Sequence, residues 1–301
     1  MTSQTTSSVF MVKPVCFGFN EQTAGNNAFQ KEGFGEGSQE KALAESNEFV
    51  NLLRSNGINV VLAEDTPEPK TPDSIFPNNW FSTHKDGILV LYPMFAPNRR
   101  DERKQVFIDA IKSNFDYKRT VDLTKWEKEG KYLEGTGSMV LDRVAKVAYA
   151  CKSPRTNEEV FNEFCKQLGF SPVLFSAVDQ NDKMIYHTNV LMCIGSTFAI
   201  VCTDSIKNKD ECKKVTETLE KSGKKVIEIS FSQMNSYAGN MLEVKNKEGK
   251  RFLIMSQTAY DCLNDEQKNY LEKECTILHP RIGCIEVNGG GSARCMLAEL
   301  F

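Results

Sequence analysis

The sequence predicts a mixed α/β fold made of five repeated units. Five strand–helix–strand phrases follow one another along the 301 residues. A further strand lies between successive units, and each of these strands is entered through a polar residue. These residues, Asn79, Glu134, His187, Asn240 and Cys295, recur at intervals of 55, 53, 53 and 55 residues. A fixed period of this kind is typical of repeated supersecondary units that stack or are arranged radially.

Each unit shows the same order of local signals: a short apolar run, a helical pattern with a polar start, and a second short apolar run. The expected strands are Val9–Phe19, Ile58–Leu62, Ile88–Tyr92, Thr120–Leu123, Ala145–Ala150, Val173–Phe175, Phe198–Val201, Lys225–Ile229, Arg251–Met255 and Cys275–Leu278. The expected helices are Ser38–Asn56, Asn98–Phe115, Thr156–Leu168, Asn208–Ser222 and Asn264–Lys273. If the five units close into a ring, their five polar residues face one central cavity.

The first strand and the first helix are separated by a Gly/Asn-rich loop, Asn20–Gly37. This loop carries four glycines and two phenylalanines, Phe29 and Phe34. Such a segment can close over a small ligand, so we expect it to act as a lid. No linker or composition break divides the chain, and the sequence therefore predicts one domain over residues 1–301.

The composition is that of an ordinary globular protein. Apolar residues make up 40% and charged residues 26% of the chain, and 37 basic residues nearly balance 40 acidic ones. This balance argues against a nucleic-acid partner. The N-terminus lacks a secretory signal pattern, and the apolar run at Gly87–Ala96 is too short to span a bilayer. We expect a cytoplasmic protein that does not bind membranes and can form a homo-oligomer.

The ten cysteines do not follow a metal-binding pattern. They include no C-x-x-C pair and do not cluster with the three histidines. The sequence therefore predicts no metal site and no cofactor. Because a secretory signal is not apparent, reduced thiols are favoured over disulfides.

The stretch Gly289-Gly-Gly-Ser-Ala-Arg-Cys295 indicates a nucleophile. Three glycines let a ligand approach closely, and their free N–H groups can face a developing negative charge. A thiol needs such a setting, because its ordinary pKa of about 8.5 leaves only a few per cent as thiolate at neutral pH. The apolar run before the glycines, from Ile282 to Val287, is typical of a strand.

Two further residues of the predicted ring complete a catalytic arrangement. His187 beside Cys295 can exchange the thiol proton and later protonate a leaving amine. Glu134 lies in Leu-Glu-Gly-Thr-Gly, where it can hold the tautomer of His187 or orient an attacking water.

A polar and aromatic cluster, from Asp73 to Trp80, can bind a planar polar group. The Asp73 carboxylate accepts N–H groups, and Phe76 or Trp80 provides a flat wall. Arginines that precede two helices suit a bidentate clamp on a substrate carboxylate. The candidate substrate-binding residues are Asp73, Phe76, Asn78, Asn79, Arg99, Arg100, Arg155, Asn189 and Asn240.

Several short motifs together resemble one superfamily of enzymes. They are Asn20-Glu-x-Thr23-Ala with Asn27-x-Phe29-Gln, Asp73-x-x-Phe76, Glu134-Gly-Thr-Gly, His187-x-Asn189 and the glycine run before Cys295. In combination they resemble the pentein superfamily of guanidino-modifying enzymes. The nearest resemblance is to its citrulline-utilisation hydrolases, which are related to arginine deiminases and dimethylarginine dimethylaminohydrolases. The resemblance covers Val9 to Phe301.

This resemblance implies a five-bladed ββαβ propeller with pseudo-fivefold symmetry. It also implies that Cys295 attacks the carbon of a guanidino or ureido group, that His187 protonates the departing amine, and that water hydrolyses the thio-intermediate. Asp73 would bind the terminal nitrogens, and Glu134 would contact the substrate or His187. Arg99 or Arg100, together with Arg155, would hold the carboxylate of the amino-acid substrate.

Two departures from the resembled enzymes concern charge. Arginine deiminases carry an acid where this chain has Asn189, and the dimethylarginine enzymes carry one where it has Asn78 and Asn79. An asparagine can donate to a ureido oxygen, whereas an aspartate cannot. We therefore expect citrulline as substrate, with ornithine, carbon dioxide and ammonia as products. The alternatives are an arginine deiminase or dimethylarginine dimethylaminohydrolase, an amidinotransferase, or a non-catalytic relative that binds an amino acid or a protein.

Overall fold

Five three-stranded sheets make up the fold. The computed structural model describes residues 3–33, 35 and 37–301. In every sheet the middle strand pairs antiparallel with one neighbour and parallel with the other. The sheets consist of Ser8–Lys13 (β1), Asn59–Glu64 (β2) and Ala298–Leu300 (β15); Phe81–His84 (β3), Ile88–Leu91 (β4) and Arg119–Asp122 (β5); Met139–Asp142 (β6), Val147–Cys151 (β7) and Ser171–Phe175 (β8); Met192–Ile194 (β9), Phe198–Val201 (β10) and Lys225–Glu228 (β11); and Leu242–Lys245 (β12), Arg251–Ile254 (β13) and Thr276–Leu278 (β14).

The parallel strands of each sheet are joined through a helical crossover, which gives the ββαβ order of each blade. The helices are Glu21–Ala24 (α1), Ser38–Ser55 (α2), Pro97–Arg100 (α3), Gln105–Ser113 (α4), Gly135–Ser138 (α5), Glu158–Leu168 (α6), Thr188–Leu191 (α7), Lys209–Lys221 (α8), Phe231–Asn235 (α9), Gln257–Cys262 (α10), Asp265–Glu274 (α11) and Gly283–Gly289 (α12). None of the described helices is both long and apolar enough to cross a membrane.

Side-chain caps explain where three of the crossover helices begin. Asn157, Asn208 and Asn264 each accept backbone N–H groups from the first turn of the following helix. Apolar residues on one face of each helix pack on the sheet, such as Phe161 and Phe164 of α6, which are fully buried. Buried residues between the blades' sheets and helices form the core.

Both ends of the described chain meet in one sheet. β1 pairs antiparallel with β15 and parallel with β2. The first blade therefore takes two strands from one end of the chain and one from the other, which closes the arrangement of blades. The predicted α/β propeller of five ββαβ units is confirmed.

Three local expectations were wrong. The run Ile282–Val287 was expected as a strand, but it lies largely in helix α12, whose first N–H groups, on Cys284 and Ile285, donate to the Glu45 carboxylate of α2. The single helix expected over Asn98–Phe115 is two helices, α3 and α4. The strand expected over Val9–Phe19 ends at Lys13, because Pro14 lacks the N–H that a strand ladder needs.

A short turn or helix precedes the first strand of three blades. A 3₁₀ turn at Pro77–Asn79 precedes β3, α5 precedes β6, and α7 precedes β9. The polar residues expected at the strand starts therefore lie on these turns or next to them. Phe34, one of the two phenylalanines of the expected lid, lies outside the described residues.

Candidate active site

His187 and Glu134 form a buried pair, and each lies directly before a short helix, α7 for His187 and α5 for Glu134. The distance between His187 Nε2 and Glu134 Oε2 is 2.8 Å. The second carboxylate oxygen, Oε1, accepts the Phe95 N–H at 3.0 Å. Glu134 thus contacts the Nε2 atom of the imidazole, which fits the alternative in which it holds the tautomer of His187.

The protonation of this pair follows from burial and from nearby arginines. Burial lowers the pKa of His187 to about 4, although its hydrogen bond to Glu134 acts in the opposite direction. Burial alone would raise the pKa of Glu134, but Arg155, His187 and Arg99 together lower it. At neutral pH the carboxylate is therefore ionised and the imidazole neutral. Nε2 carries the proton that is shared with Glu134, which leaves Nδ1 as the unprotonated nitrogen.

Cys295 lies in a turn whose backbone is fixed by a bond from its own N–H to Ser292 O, at 2.9 Å. Its Sγ atom is 3.3 Å from Asn240 Nδ2 and 3.6 Å from Asn189 Nδ2. The cysteine is buried. The ten cysteines of the chain are all free thiols.

The glycines before Cys295 permit close packing. A Cβ atom at Gly289 would lie 2.7 Å from the Phe76 ring, and one at Gly291 would lie 2.9 Å from the same ring. Gly290 has a φ of +65°, which favours glycine. Its N–H donates to Glu286 O as the end of α12, so the expectation of three free N–H groups is not met at this residue.

Seven of the predicted residues line one small cavity together with the glycine run. They are Asp73, Phe76, Asn79, Arg99, Arg155, His187 and Cys295. The cavity volume is about 20 Å³, which is space for about one water molecule rather than for an amino acid. The site is therefore closed in this structure.

Two polar atoms on residues of this cavity wall have no hydrogen-bond partner within the described part of the chain. They are Asp73 Oδ1 and Asn79 Nδ2, and both are buried. The other Asp73 oxygen accepts from Asn20 Nδ2 at 2.8 Å, and Asn79 Oδ1 accepts from Arg99 Nη1 at 2.8 Å. These bonds fix which atom of each side chain is left free: one acceptor and one donor.

The three predicted arginines are used differently. Arg99 makes a bidentate pair with Glu102, at 2.7 and 3.0 Å. Arg155 donates to Asn26 Oδ1 through Nε at 2.9 Å and lies 3.4 Å from Glu134 Oε2. Arg100 is not among the described residues that line the cavity, because its guanidinium donates to the Met94 and Phe95 carbonyls instead.

Asn78, Asn189 and Asn240 are also absent from the described lining of this cavity. Asn78 donates to Thr136 Oγ1 at 3.3 Å. Asn189 lines a different cavity, which also includes Arg143 and Arg294. Direct substrate contact by these three asparagines stays a prediction.

Part of the loop that was expected as a lid packs on the glycine run, and its action as a lid stays a prediction. Asn27 Nδ2 donates to Gly290 O at 3.2 Å, and Gln30 Nε2 donates to Asn288 O at 3.0 Å. The aromatic ring of Phe29 lies against Tyr186 and Tyr237, with centroids 6.5 and 5.1 Å apart. These contacts hold residues 20–30 on the glycine run.

Sequence reasoning missed some residues of the site. Tyr186 lines the cavity, donates to Gly290 O at 3.0 Å and packs under the Arg155 guanidinium. It is the residue before His187, and no motif distinguished it. Asn20 and Asn27 appeared only in the motifs that resemble the pentein enzymes, without a predicted contact. Within the described ranges, no group of three or more His, Cys, Asp or Glu side chains is arranged to hold a metal ion.

Comparison with known families decides the relationship of this chain. A family model described as N,N dimethylarginine dimethylhydrolase, eukaryotic, matches residues 13–301. The chain belongs to this family. The protein is therefore a pentein-superfamily enzyme. It is a hydrolase acting on C–N bonds other than peptide bonds. No curated protein matches the sequence well enough to count as a relative.

Solved structures share the fold at low sequence identity. The N-terminal domain of ArgZ bound to product, an arginine dihydrolase from the ornithine–ammonia cycle in cyanobacteria, has a TM-score of 0.77 and 15% identity, over 98% of this chain and 97% of that one. A mutant of AgrE in complex with L-arginine has a TM-score of 0.77 and 16% identity, over 98% of this chain and 40% of that one. A dimethylarginine dimethylaminohydrolase adduct has a TM-score of 0.66 and 15% identity, over 99% of both chains.

Proposed function

We propose that this dimethylarginine dimethylhydrolase relative hydrolyses the ureido group of citrulline, with Cys295 as nucleophile. The products are ornithine, carbon dioxide and ammonia. The observation that carries the choice of substrate is the pair of free polar atoms on the cavity residues, the acceptor Asp73 Oδ1 and the donor Asn79 Nδ2.

The ureido group matches this pair. Its NH₂ group donates to Asp73 Oδ1, and its oxygen accepts from Asn79 Nδ2. A guanidinium has only donors, so its N–H groups would oppose the amide donor of Asn79. A site that is built to bind one polar group can reject an analogue lacking it by factors of about 10⁴.

The residues supply each step of the reaction. The Cys295 thiol passes its proton to His187 Nδ1 as Sγ attacks the ureido carbon. The tetrahedral species collapses as His187 returns that proton to the departing ammonia, and Glu134 stabilises the imidazolium that forms between these steps. Water then cleaves the thiocarbamate and regenerates the thiol. The released carbamate of ornithine loses carbon dioxide.

Substrate entry requires the loop over residues 20–30 to move, because the cavity is too small for an amino acid. Arg155 and Arg99 are the cations at the cavity that suit the substrate carboxylate. A larger cavity of about 980 Å³ shares Tyr186 with the site and includes Asn26 and Phe29 in its wall. We infer that this space is the entrance, and that residues 1–301 act as one catalytic domain.

A second candidate is a guanidino substrate, either arginine or a methylated arginine. Asp73 Oδ1 favours this candidate, since a free carboxylate oxygen in a buried cavity stabilises a cation. The family description also names dimethylarginine, and the ArgZ and AgrE structures concern arginine.

The ratio of kcat/KM values distinguishes citrulline from the guanidino substrates. We expect kcat/KM for citrulline to exceed that for arginine or asymmetric dimethylarginine by about tenfold or more, with ornithine and ammonia as products. Asn79→Asp keeps the acceptor for Arg99 but replaces the donor with a second acceptor, so it should shift the ratio towards arginine by at least about tenfold. A wild type that favours arginine or a methylated arginine tenfold would contradict the citrulline assignment.

One control and two alternative outcomes accompany this measurement. Cys295→Ser fills the same space with a far weaker nucleophile, so turnover should be lost while the circular dichroism spectrum is unchanged. Transfer of an amidino group from arginine to an added amine would instead identify an amidinotransferase. A pure, folded wild-type protein without turnover of any of these substrates would indicate a binding protein.

A further inference from the structure

Asn240 is held by its neighbours in one orientation. Its Oδ1 accepts the Arg294 N–H at 3.1 Å, and its Nδ2 donates to Asn189 O at 3.1 Å. These backbone partners fix the amide so that Nδ2 also faces Cys295 Sγ, at 3.3 Å. One partner lies just before β15 and the other lies in α7, so segments distant in sequence set this contact.

A second amide reaches the same sulfur. Asn189 Nδ2 is 3.6 Å from Cys295 Sγ. Neither Asn189 nor Asn240 is among the described residues lining the cavity that contains Asp73, His187 and Cys295. Both amides therefore contact the sulfur without occupying the cavity wall that a substrate would contact.

The surroundings explain why the sulfur needs these donors. Cys295 is buried, and burial disfavours a charged group unless polar groups stabilise it. The neutral imidazole of His187 provides no positive charge before the reaction. A hydrogen bond to a charged group contributes more than one between neutral groups.

We propose that Asn240 and Asn189 are catalytic residues that donate hydrogen bonds to the thiolate of Cys295. This inference rests on the proposed role of Cys295 as nucleophile. The Asn240 amide can contact both states of the sulfur, since the protonated thiol lies 3.6 Å from Asn240 Oδ1 and can donate to it. Loss of the proton replaces that contact with donation from Nδ2. The pair thus stabilises the charge that develops on the sulfur as the proton leaves.

The test measures the reactivity of Cys295 rather than turnover of substrate. Alkylation by iodoacetamide is followed at pH 7, and the Cys295 peptide is quantified by mass spectrometry. Asn240→Leu has a similar volume, removes the Nδ2 donor and adds no charge, so alkylation should slow by about tenfold. Asn189→Leu should slow it in the same direction. The circular dichroism spectra of both variants should match that of the wild type.

The control variant is Asn114→Leu, which makes the same chemical change on the surface. Asn114 Nδ2 donates to the Ala110 carbonyl at 2.7 Å and the residue is exposed, so its alkylation rate should equal that of the wild type. An unchanged rate in Asn240→Leu would overturn the inference. Slowing that is accompanied by an altered circular dichroism spectrum would overturn it too, because that result indicates disturbed packing. Loss of the citrulline assignment would leave this profile interpretable, since no substrate is present.

Discussion

A neutral imidazole that donates to an ionised carboxylate determines the chemistry available to His187. Nε2 is committed to Glu134, at 2.8 Å. Only Nδ1 can accept a proton, and it can do so without first losing one. The buried arginines near Glu134 keep the carboxylate ionised, and in the proposed reaction this anion would stabilise the imidazolium.

The pKa of His187 predicts the acid limb of the activity profile. Because the base form is the active one, kcat/KM should fall as the pH decreases through about 4, rather than through the ordinary value of 6.5. Rates measured between pH 3.5 and 8 would give this midpoint. The circular dichroism spectrum should stay unchanged over this range, which excludes unfolding as the cause. A midpoint near the ordinary value would contradict the buried, neutral imidazole.

The side-chain directions of the asparagines could not be predicted from the sequence. The repeat spacing indicated that Asn79 and Asn240 hold equivalent places in their blades. Yet Asn79 belongs to the cavity wall, whereas Asn240 contacts the sulfur without being among the described lining residues. The difference arises from partners distant in sequence, namely Arg99 for the first residue and Arg294 for the second.

Among the elements, the short helix α5 packs against two side chains of the candidate site, Asn79 and His187. A Cβ atom at Gly137 of this helix would lie 2.4 Å from Asn79 Nδ2 and 2.8 Å from His187 Nδ1. The backbone of α5 thus contacts both side chains, and only a glycine leaves enough space. The motif Glu134-Gly-Thr-Gly serves this packing as well as the position of the carboxylate.

Gly137→Ala should therefore displace His187 or Asn79. We expect kcat to fall by about 100-fold, the order of effect that a displacement of about 1 Å produces in an active site. The comparison is Gly18→Ala, where an added Cβ meets no atom within 4 Å, and where activity should stay within about twofold of the wild type. Full activity in Gly137→Ala would show that these side chains tolerate the added methyl group.

Elements with strong local signals were predictable, and elements set by tertiary partners were not. Asn157, Asn208 and Asn264 begin their helices through their own side chains, so the sequence indicates these boundaries. Helix α12 instead depends on Glu45, 239 residues before Cys284 in the chain. Its apolar residues fit a strand equally well, and only the folded partner decides between the two.

At the scale of the whole molecule, the buried residue Glu299 links strand β15 to two other blades. Glu299 of β15 pairs with Arg294 at 2.9 Å and with Arg143, next to β6, at 3.3 Å. Its backbone carbonyl accepts from Thr83 of β3 at 2.8 Å. Strands from three sheets are therefore joined at this residue, and all three charged side chains are buried.

Glu299→Gln should destabilise the fold more than loss of a surface ion pair. The change leaves two buried arginines without their anion, at a cost of about 3–5 kcal/mol in the free energy of unfolding at pH 7. The matched control is Glu64→Gln, which removes the exposed pair with Lys13 at 3.2 Å and should cost less than about 1 kcal/mol. Urea denaturation monitored by circular dichroism gives both values, and equal values would contradict the role of Glu299.

The same comparison carries a pH dependence. Burial alone would raise the pKa of Glu299, but Arg143 and Arg294 lower it below its ordinary value of 4.5. A carboxyl group whose pKa is lower in the folded state stabilises that state above the unfolded pKa and ceases to do so as the pH falls through the folded value. The difference in stability between the wild type and Glu299→Gln should thus be largest at pH 7 and shrink as the pH decreases below 4.5. A difference that stays constant over this range would indicate lost packing rather than lost charge.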